Sequence, residues 1–203
     1  VYLKPFWQFN HNPIDALWSV TERPGALRIY TGELCDSPVL AHNVLTQRCS
    51  GPESAAWVTI DGSEMKDGDY AGISAWIGCY GAIALTKEKG KHYLVMYGKP
   101  AQDETLHADK DFLEPPVEYE RIAIDSSCVT LKVHVDFENK KDEADFAYEE
   151  HGNWKALGIC QKLYFKLDHF TGCRFGLFMY AAKQSGGHAD FMKFRYQIGR
   201  DHD

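Results

Sequence analysis

A chain of 203 residues with a net charge of −7 is long enough for one sizeable all-β domain. It is too acidic for a general electrostatic attraction to nucleic acid or anionic lipid. No apolar run approaches the roughly 18–20 residues of a membrane-spanning helix, and no signal-peptide pattern opens the sequence.

Eleven Tyr, eleven Phe and five Trp suit pleated sheet, and also ligands with flat faces such as sugar rings. The first residue is Val1 rather than methionine, so a fragment or a processed product is expected. Six cysteines form no C-x-x-C pair and have no histidines at metal spacing, which argues against a zinc site. They are expected as reduced thiols, with Cys49, Cys79, Cys128 and Cys173 in strand-like runs acting as small hydrophobes.

In chain order, Phe6 to Phe9 is aromatic and ends at the turn-opening pair Asn12-Pro13. Leu17–Thr21 and Ala26–Thr31 read as two strands around Arg23-Pro24-Gly25, a type II turn sequence. Val44–Cys49 and Ala55–Ile60 repeat the idea around Gly51-Pro52. Tyr70–Trp76, Tyr80–Thr86 and His92–Tyr97 follow as strands, the last two joined by Glu88-Lys89-Gly90-Lys91. Lys99–Pro116 is charged and aperiodic and reads as a long loop before Val117–Ile124.

Cys128–Phe137 has the cleanest alternation, with Val129, Leu131, Val133, Val135 and Phe137 on one face and Thr130, Lys132, His134 and Asp136 on the other. Ala144, Phe146 and Tyr148 continue the pattern, with Gly152-Asn153-Trp154 just past it. Arg174–Tyr180 suits a strand buried on both faces, and His188–Tyr196 closes the chain after Gly186-Gly187. With no sustained 3.6-residue apolar period, the expected fold is all-β, a single two-sheet antiparallel sandwich over residues 1–203.

Phe170 is a large apolar residue on the turn-prone stretch before Arg174. Leaving such a ring in water forgoes about 1.5–3 kcal/mol. Either this domain covers it or another surface does.

A catalytic reading meets obstacles. Glu143, Asp145 and Glu149 share a strand face, but at about 3.3 Å per residue the outer two stand roughly 20 Å apart, against the about 5–9.5 Å of glycosidase carboxylate pairs. A solvated charged edge is the simpler reading. No G-x-S-x-G or phosphate-cradling glycine loop is present.

A binding module asks only for outward aromatics, drawn from Trp7, Tyr30, Trp57, Trp76, Tyr80, Tyr97 and Trp154, most of which must be core. The candidate sugar-contacting set is Trp7, His11, Trp76 and Tyr80. Asp190 is the candidate ligand for a structural calcium, its alternative being pairing with Arg or Lys. No cofactor is required.

Several phrases in order carry a family likeness: W-Q-F-N-H-N-P at 7–13, W-S-V-T-E-R-P-G-A-L-R at 18–28, V-L-T-Q-R at 44–48, M-K-D-G-D-Y-A-G at 65–72, Y-G-A-I-A-L-T-K at 80–87, H-F-T-G-C-R-F-G-L-F at 169–178 and A-D-F-M-K-F-R-Y at 189–196. Together they resemble the C-terminal sandwich of glycoside hydrolase family 43 (GH43) β-xylosidases and arabinofuranosidases, also classed as a xylan-associated carbohydrate-binding module of family 91.

The resemblance implies a concanavalin A-like jelly roll that packs on an N-terminal five-bladed β-propeller, which holds the catalytic carboxylates. It implies that Phe170, Thr171 and Gly172 lie on a loop completing the sugar pocket, and that xylan or xylo-oligosaccharide is the substrate. Met192 stands where family members often carry an acid, and Cys49 and Cys79 where bulkier or polar residues are usual. The rival readings are an independent xylan-binding module and a free-standing sandwich glycosidase using Glu143 and Asp145.

Overall fold

Alternating apolar residues fold this chain into two antiparallel sheets packed face to face. The computed structural model describes residues 3–99, 115–163 and 172–199. The strands are β1 (Gln8–Phe9), β2 (Trp18–Ser19), β3 (Ala26–Tyr30), β4 (Leu45–Arg48), β5 (Glu53–Asp61), β6 (Asp69–Trp76), β7 (Tyr80–Glu88), β8 (Lys91–Lys99), β9 (Val117–Ile124), β10 (Cys128–Asp136), β11 (Glu143–Glu150), β12 (Asn153–Ala156), β13 (Gln161–Lys162), β14 (Arg174–Ala181) and β15 (His188–Ile198). The first sheet runs β1-β4-β14-β6-β7-β8-β9 and the second β12-β11-β10-β5-β15-β3-β2, with β13 added on β11. Most of the expected loop at Lys99–Pro116 lies outside the described residues.

Strand β10 shows how the pattern becomes packing. Val129, Leu131, Val133 and Val135 are buried, while Thr130, Lys132 and His134 on the opposite face are half-buried. Its neighbours supply Ala56, Val58 and Ile60 from β5 and Ala144 and Phe146 from β11 to the same core.

Turn chemistry holds where the sequence dictates it. Ala26 N–H donates to the Arg23 carbonyl at 3.1 Å across Pro24-Gly25, and Gly25 takes φ +79°, as a type II turn requires. Lys89 and Gly90 both take positive φ between β7 and β8, the type I′ signature of a two-residue hairpin.

Three segments depart from the sequence reading. Strands β4 and β5 do not form a hairpin: β4 lies between β1 and β14 in the first sheet, β5 between β10 and β15 in the second. A turn sequence between two strands is equally compatible with crossing the core, and the partners available in each sheet decided it. Asn153 and Trp154 are themselves strand, returning along β11 after a turn in which His151 and Gly152 take positive φ. In β15 a register shift between Met192 and Arg195, with Lys193 at φ +52°, reverses which residues face inward. Phe191 on one side of it and Phe194 and Tyr196 on the other therefore all pack on the core.

The first sheet has a second apolar cluster, of Ala41, Val44, Trp76, Tyr80, Ala82, Ala84, Val95, Tyr97, Phe178 and Tyr180, with Cys35 and Val39 packed against it. Every residue of β14 is consequently buried, as the unbroken apolar run from Arg174 to Tyr180 predicts. Close strand approach depends on Gly72, where a Cβ would sit 2.3 Å from the Ile83 carbonyl oxygen.

Candidate functional site at the Gly172 edge

Phe170 and Thr171 lie outside the described residues; Gly172 is the first described residue of that segment and takes φ +70°. Among the described residues a Cβ there would meet nothing within 4 Å, and the positive backbone angle is one that favours glycine.

Immediately after it the chain is held firmly. Arg174 stands opposite Arg48 on one side and Trp76 on the other. Its guanidinium is buried, donating from Nε to Thr46 Oγ1 at 2.8 Å and from Nη2 to Gln8 Oε1 at 2.8 Å. Thr46 in turn donates to the Gln8 carbonyl at 2.8 Å. Burial, with Arg48 nearby, lowers the Arg174 pKa from its usual value. Residues from three distant sequence phrases thus fix the root of Gly172.

The four residues of the expected sugar-contacting set fall into three separate settings. Trp7 is half-buried, with its ring edge-on to Phe194 at 4.8 Å. His11 is exposed: its Nε2 is 2.9 Å from the Val39 carbonyl, and its ring is 6.1 Å from that of His42. His42 lies 3.7 Å from the Glu33 carboxylate and lines a cleft of about 200 Å³ with Leu17, Tyr30, Leu34 and Tyr180.

Trp76 and Tyr80 are only 5% and 2% exposed and stack on each other at 5.7 Å. They belong to the second apolar cluster and offer no open ring face for a sugar. Alternation along one strand cannot reveal that both faces of its sheet are covered.

Asp190 is a charge-pair residue. Arg28 donates to Oδ1 from Nε at 2.8 Å and to Oδ2 from Nη2 at 2.9 Å. Arg23 Nη1 reaches Asp190 Oδ2 at 2.8 Å and Asp61 Oδ2 at 2.7 Å. Burial pushes the Asp190 carboxyl up, but hydrogen bonds from Arg28 and Arg23 outweigh it and hold the pKa below the usual carboxylate range. Both oxygens are engaged by cations, so the residues present do not fit a calcium ion. The network instead joins the T-E-R-P-G-A-L-R and A-D-F phrases across β3 and β15.

Two of the carboxylates on β11 also have charged neighbours. Glu143 faces Lys162 at 3.5 Å, and Asp145 lies 3.8 Å from His134, an interaction that raises the imidazole pKa and lowers that of the carboxyl. Glu149 stands opposite Trp154 at the far end of β11. Glu53, Asp136 and Glu138 bring carboxylates within 4.8 Å of one another, with Lys141 Nζ on Asp136 at 2.6 Å.

On the outward face of the second sheet, Trp57 and Trp154 meet edge to face at 6.3 Å with Lys132 over both rings. Trp154 is 40% exposed. An open groove of about 510 Å³ on the same sheet is lined by Glu53, Ala55, Lys132, His134 and Gln197. The alternation of β10 placed Lys132 and His134 outward, but only the pairing of β11 with β12 brought Trp154 beside Lys132.

Residues 2–197 match the family model described as the β-xylosidase C-terminal concanavalin A-like domain. A β-xylosidase of Formosa agariphila is 28% identical over 94% of this chain, which covers 32% of that protein. A bifunctional GH43-CE protein of Bacteroides eggerthii is 40% identical, with a TM-score of 0.87 over 98% of this chain and 24% of its own. The GH43 protein BlXynB of Bacillus licheniformis, at 24% identity, shares the fold with a TM-score of 0.76, over 96% of this chain and 37% of its own. The chain therefore spans between about a quarter and two fifths of the length of these relatives. With the two-sheet sandwich and a match over nearly its whole length, the chain belongs to the concanavalin A-like C-terminal domain family of GH43 β-xylosidases.

Proposed function

We propose that this chain is the accessory sandwich of a GH43 glycosidase acting on xylan or xylo-oligosaccharide. The segment Phe170-Thr171-Gly172 completes the sugar pocket of a catalytic five-bladed β-propeller in the same polypeptide. The observation that carries this reading is the fixed root of that segment: Gly172 leads into a fully buried strand whose first side chain, Arg174, is tied to β1 and β4. A rigid base lets a short segment hold an apolar ring at a set position, where it excludes water and shapes the sugar-binding wall.

In the complete enzyme, Phe170→Ala is expected to weaken xylobiose turnover without lowering the melting temperature. Unchanged kinetics would remove the role given to the ring. The 203-residue chain alone is expected to be inert towards aryl xylosides, and hydrolysis there would overturn the accessory role.

A second reading, an independent xylan-binding module, is favoured by the outward Trp57–Trp154 pair beside the open groove. Retardation of the 203-residue chain in gels containing soluble xylan would support it.

A further inference from the structure

We propose that Cys49 and Cys173 are a cross-link site, forming an intramolecular disulfide that staples β4 to β14 directly beside Gly172 when an external disulfide is present. The ladder of these strands pairs Gln47 with Phe175 and Arg48 with Arg174, so Cys49 and Cys173 are the next opposed rung. Cys49 N–H donates to the Cys173 carbonyl at 3.0 Å, which makes this a hydrogen-bonded antiparallel pair. Such pairs hold their Cα atoms about 5.5 Å apart, within the about 4.4–6.8 Å that a disulfide bridges. The side chains already point at one another: the Cys49 thiol donates to the Cys173 sulfur across 3.6 Å.

The remaining cysteines are placed differently. Cys35 and Cys79 donate to the backbone carbonyls of Ser37 and Lys162, and Cys128 and Cys160 are exposed. No disulfide is present among the described residues.

Cys49 is the half-buried member and Cys173 the buried one, which sets the order of attack. The Cys49 thiolate attacks a small-molecule disulfide such as oxidised glutathione, forming a mixed disulfide and releasing one thiolate. The Cys173 thiolate then attacks the Cys49 sulfur and releases the second. Two protein thiols and one disulfide become one protein disulfide and two small thiols. Two electrons pass from the protein thiols to the small-molecule disulfide, and the two protons end on the released thiols.

The Arg174 guanidinium favours the thiolate of Cys49, but burial prevails and raises its pKa well above the usual value. Exchange in the folded chain is accordingly slow at neutral pH and quickens as pH rises. The bond closes the long loop between residues 49 and 173 and pins the strand on which Gly172 is rooted. Its formation does not depend on what the segment before Gly172 touches.

The test incubates the 203-residue chain with oxidised or reduced glutathione at pH 8, then maps alkylated and cross-linked peptides by mass spectrometry. The expected result is a peptide joining Cys49 to Cys173 that disappears on reduction, with a melting temperature about 5–10 °C above that of the reduced chain. Cys49→Ala is expected to abolish both the cross-link and the shift, whereas Cys128→Ala leaves both intact. Should Cys49→Ala fail to fold, peptide mapping of the unsubstituted chain still decides. Complete alkylation of both thiols after prolonged oxidation, or cross-links only between other cysteines, would overturn the proposal.

Discussion

Replacing Asp190 with Asn keeps the side chain's shape but removes the charge and one acceptor facing two guanidinium groups. Stripping one member from a buried ion pair costs about 3–5 kcal/mol. Here the Asp190 side chain is 5% exposed, but those of Arg28 and Arg23 are 20% and 38% exposed, so water rehydrates part of what is lost. The expected loss is about 2–3 kcal/mol, or about 5–10 °C in melting temperature for a chain of this length.

The sign with pH follows from the folded pKa lying below the ordinary value. The stabilisation is complete above the unfolded pKa of about 4 and disappears as pH falls through the lower folded value. Melting curves by circular dichroism at pH 7 and at pH 3, each with calcium and with chelator, test both points. The gap between the two proteins is expected to be widest at pH 7, to narrow at pH 3, and to ignore calcium. A calcium-dependent rise in the unsubstituted protein that Asp190→Asn abolishes would refute the ion-pair account and restore a metal site.

Three further outcomes follow from the structure. The Asp69 carboxyl is pushed up to about 6 by burial, against an opposing hydrogen bond from Lys66 N–H. Its contribution to stability is therefore complete below the unfolded pKa of about 4 and falls by about 1–2 kcal/mol as pH rises through 6, after allowance for water access; a pH dependence over that range that is unchanged in Asp69→Asn would count against this assignment. Gly72→Ala, whose Cβ would meet the Ile83 carbonyl at 2.3 Å and the Phe178 ring at 2.7 Å, should cost about 3 kcal/mol or more in urea unfolding. Gly172→Ala, strained by its positive φ, should cost about 1 kcal/mol, and equal losses would show the space argument at Gly72 to be mistaken. Under the binding-module reading, Trp154→Ala should reduce retardation in xylan gels while leaving the melting temperature within a few degrees, and undiminished retardation would exclude that ring as a contact.

The sequence by itself determined most of the long strands and their inward faces, because apolar alternation is a local property. It marked the alternation of β10 from Val129 to Val135, though Asp136, expected outward, is buried, and it marked the Arg23-Pro24-Gly25 turn, the Lys89-Gly90 hairpin and the unbroken burial of β14. Only the tertiary structure decided which strands became neighbours, since pairing depends on residues far apart in the chain. It sent β4 and β5 to different sheets, turned Phe194 inward through the shift in β15, and drew β12 along β11. The candidate residues divided along the same line. Trp76 and Tyr80 look available in a sequence because a strand does not record whether its outer face is covered; the apolar cluster with Ala41 and Val44 buries them. Asp190 looks like a calcium ligand until Arg23 and Arg28 are brought to it from more than 160 positions away. The turn expected before Gly172 lies outside the described residues, and the firmness of its root came from Gln8 and Thr46, which only folding places against Arg174.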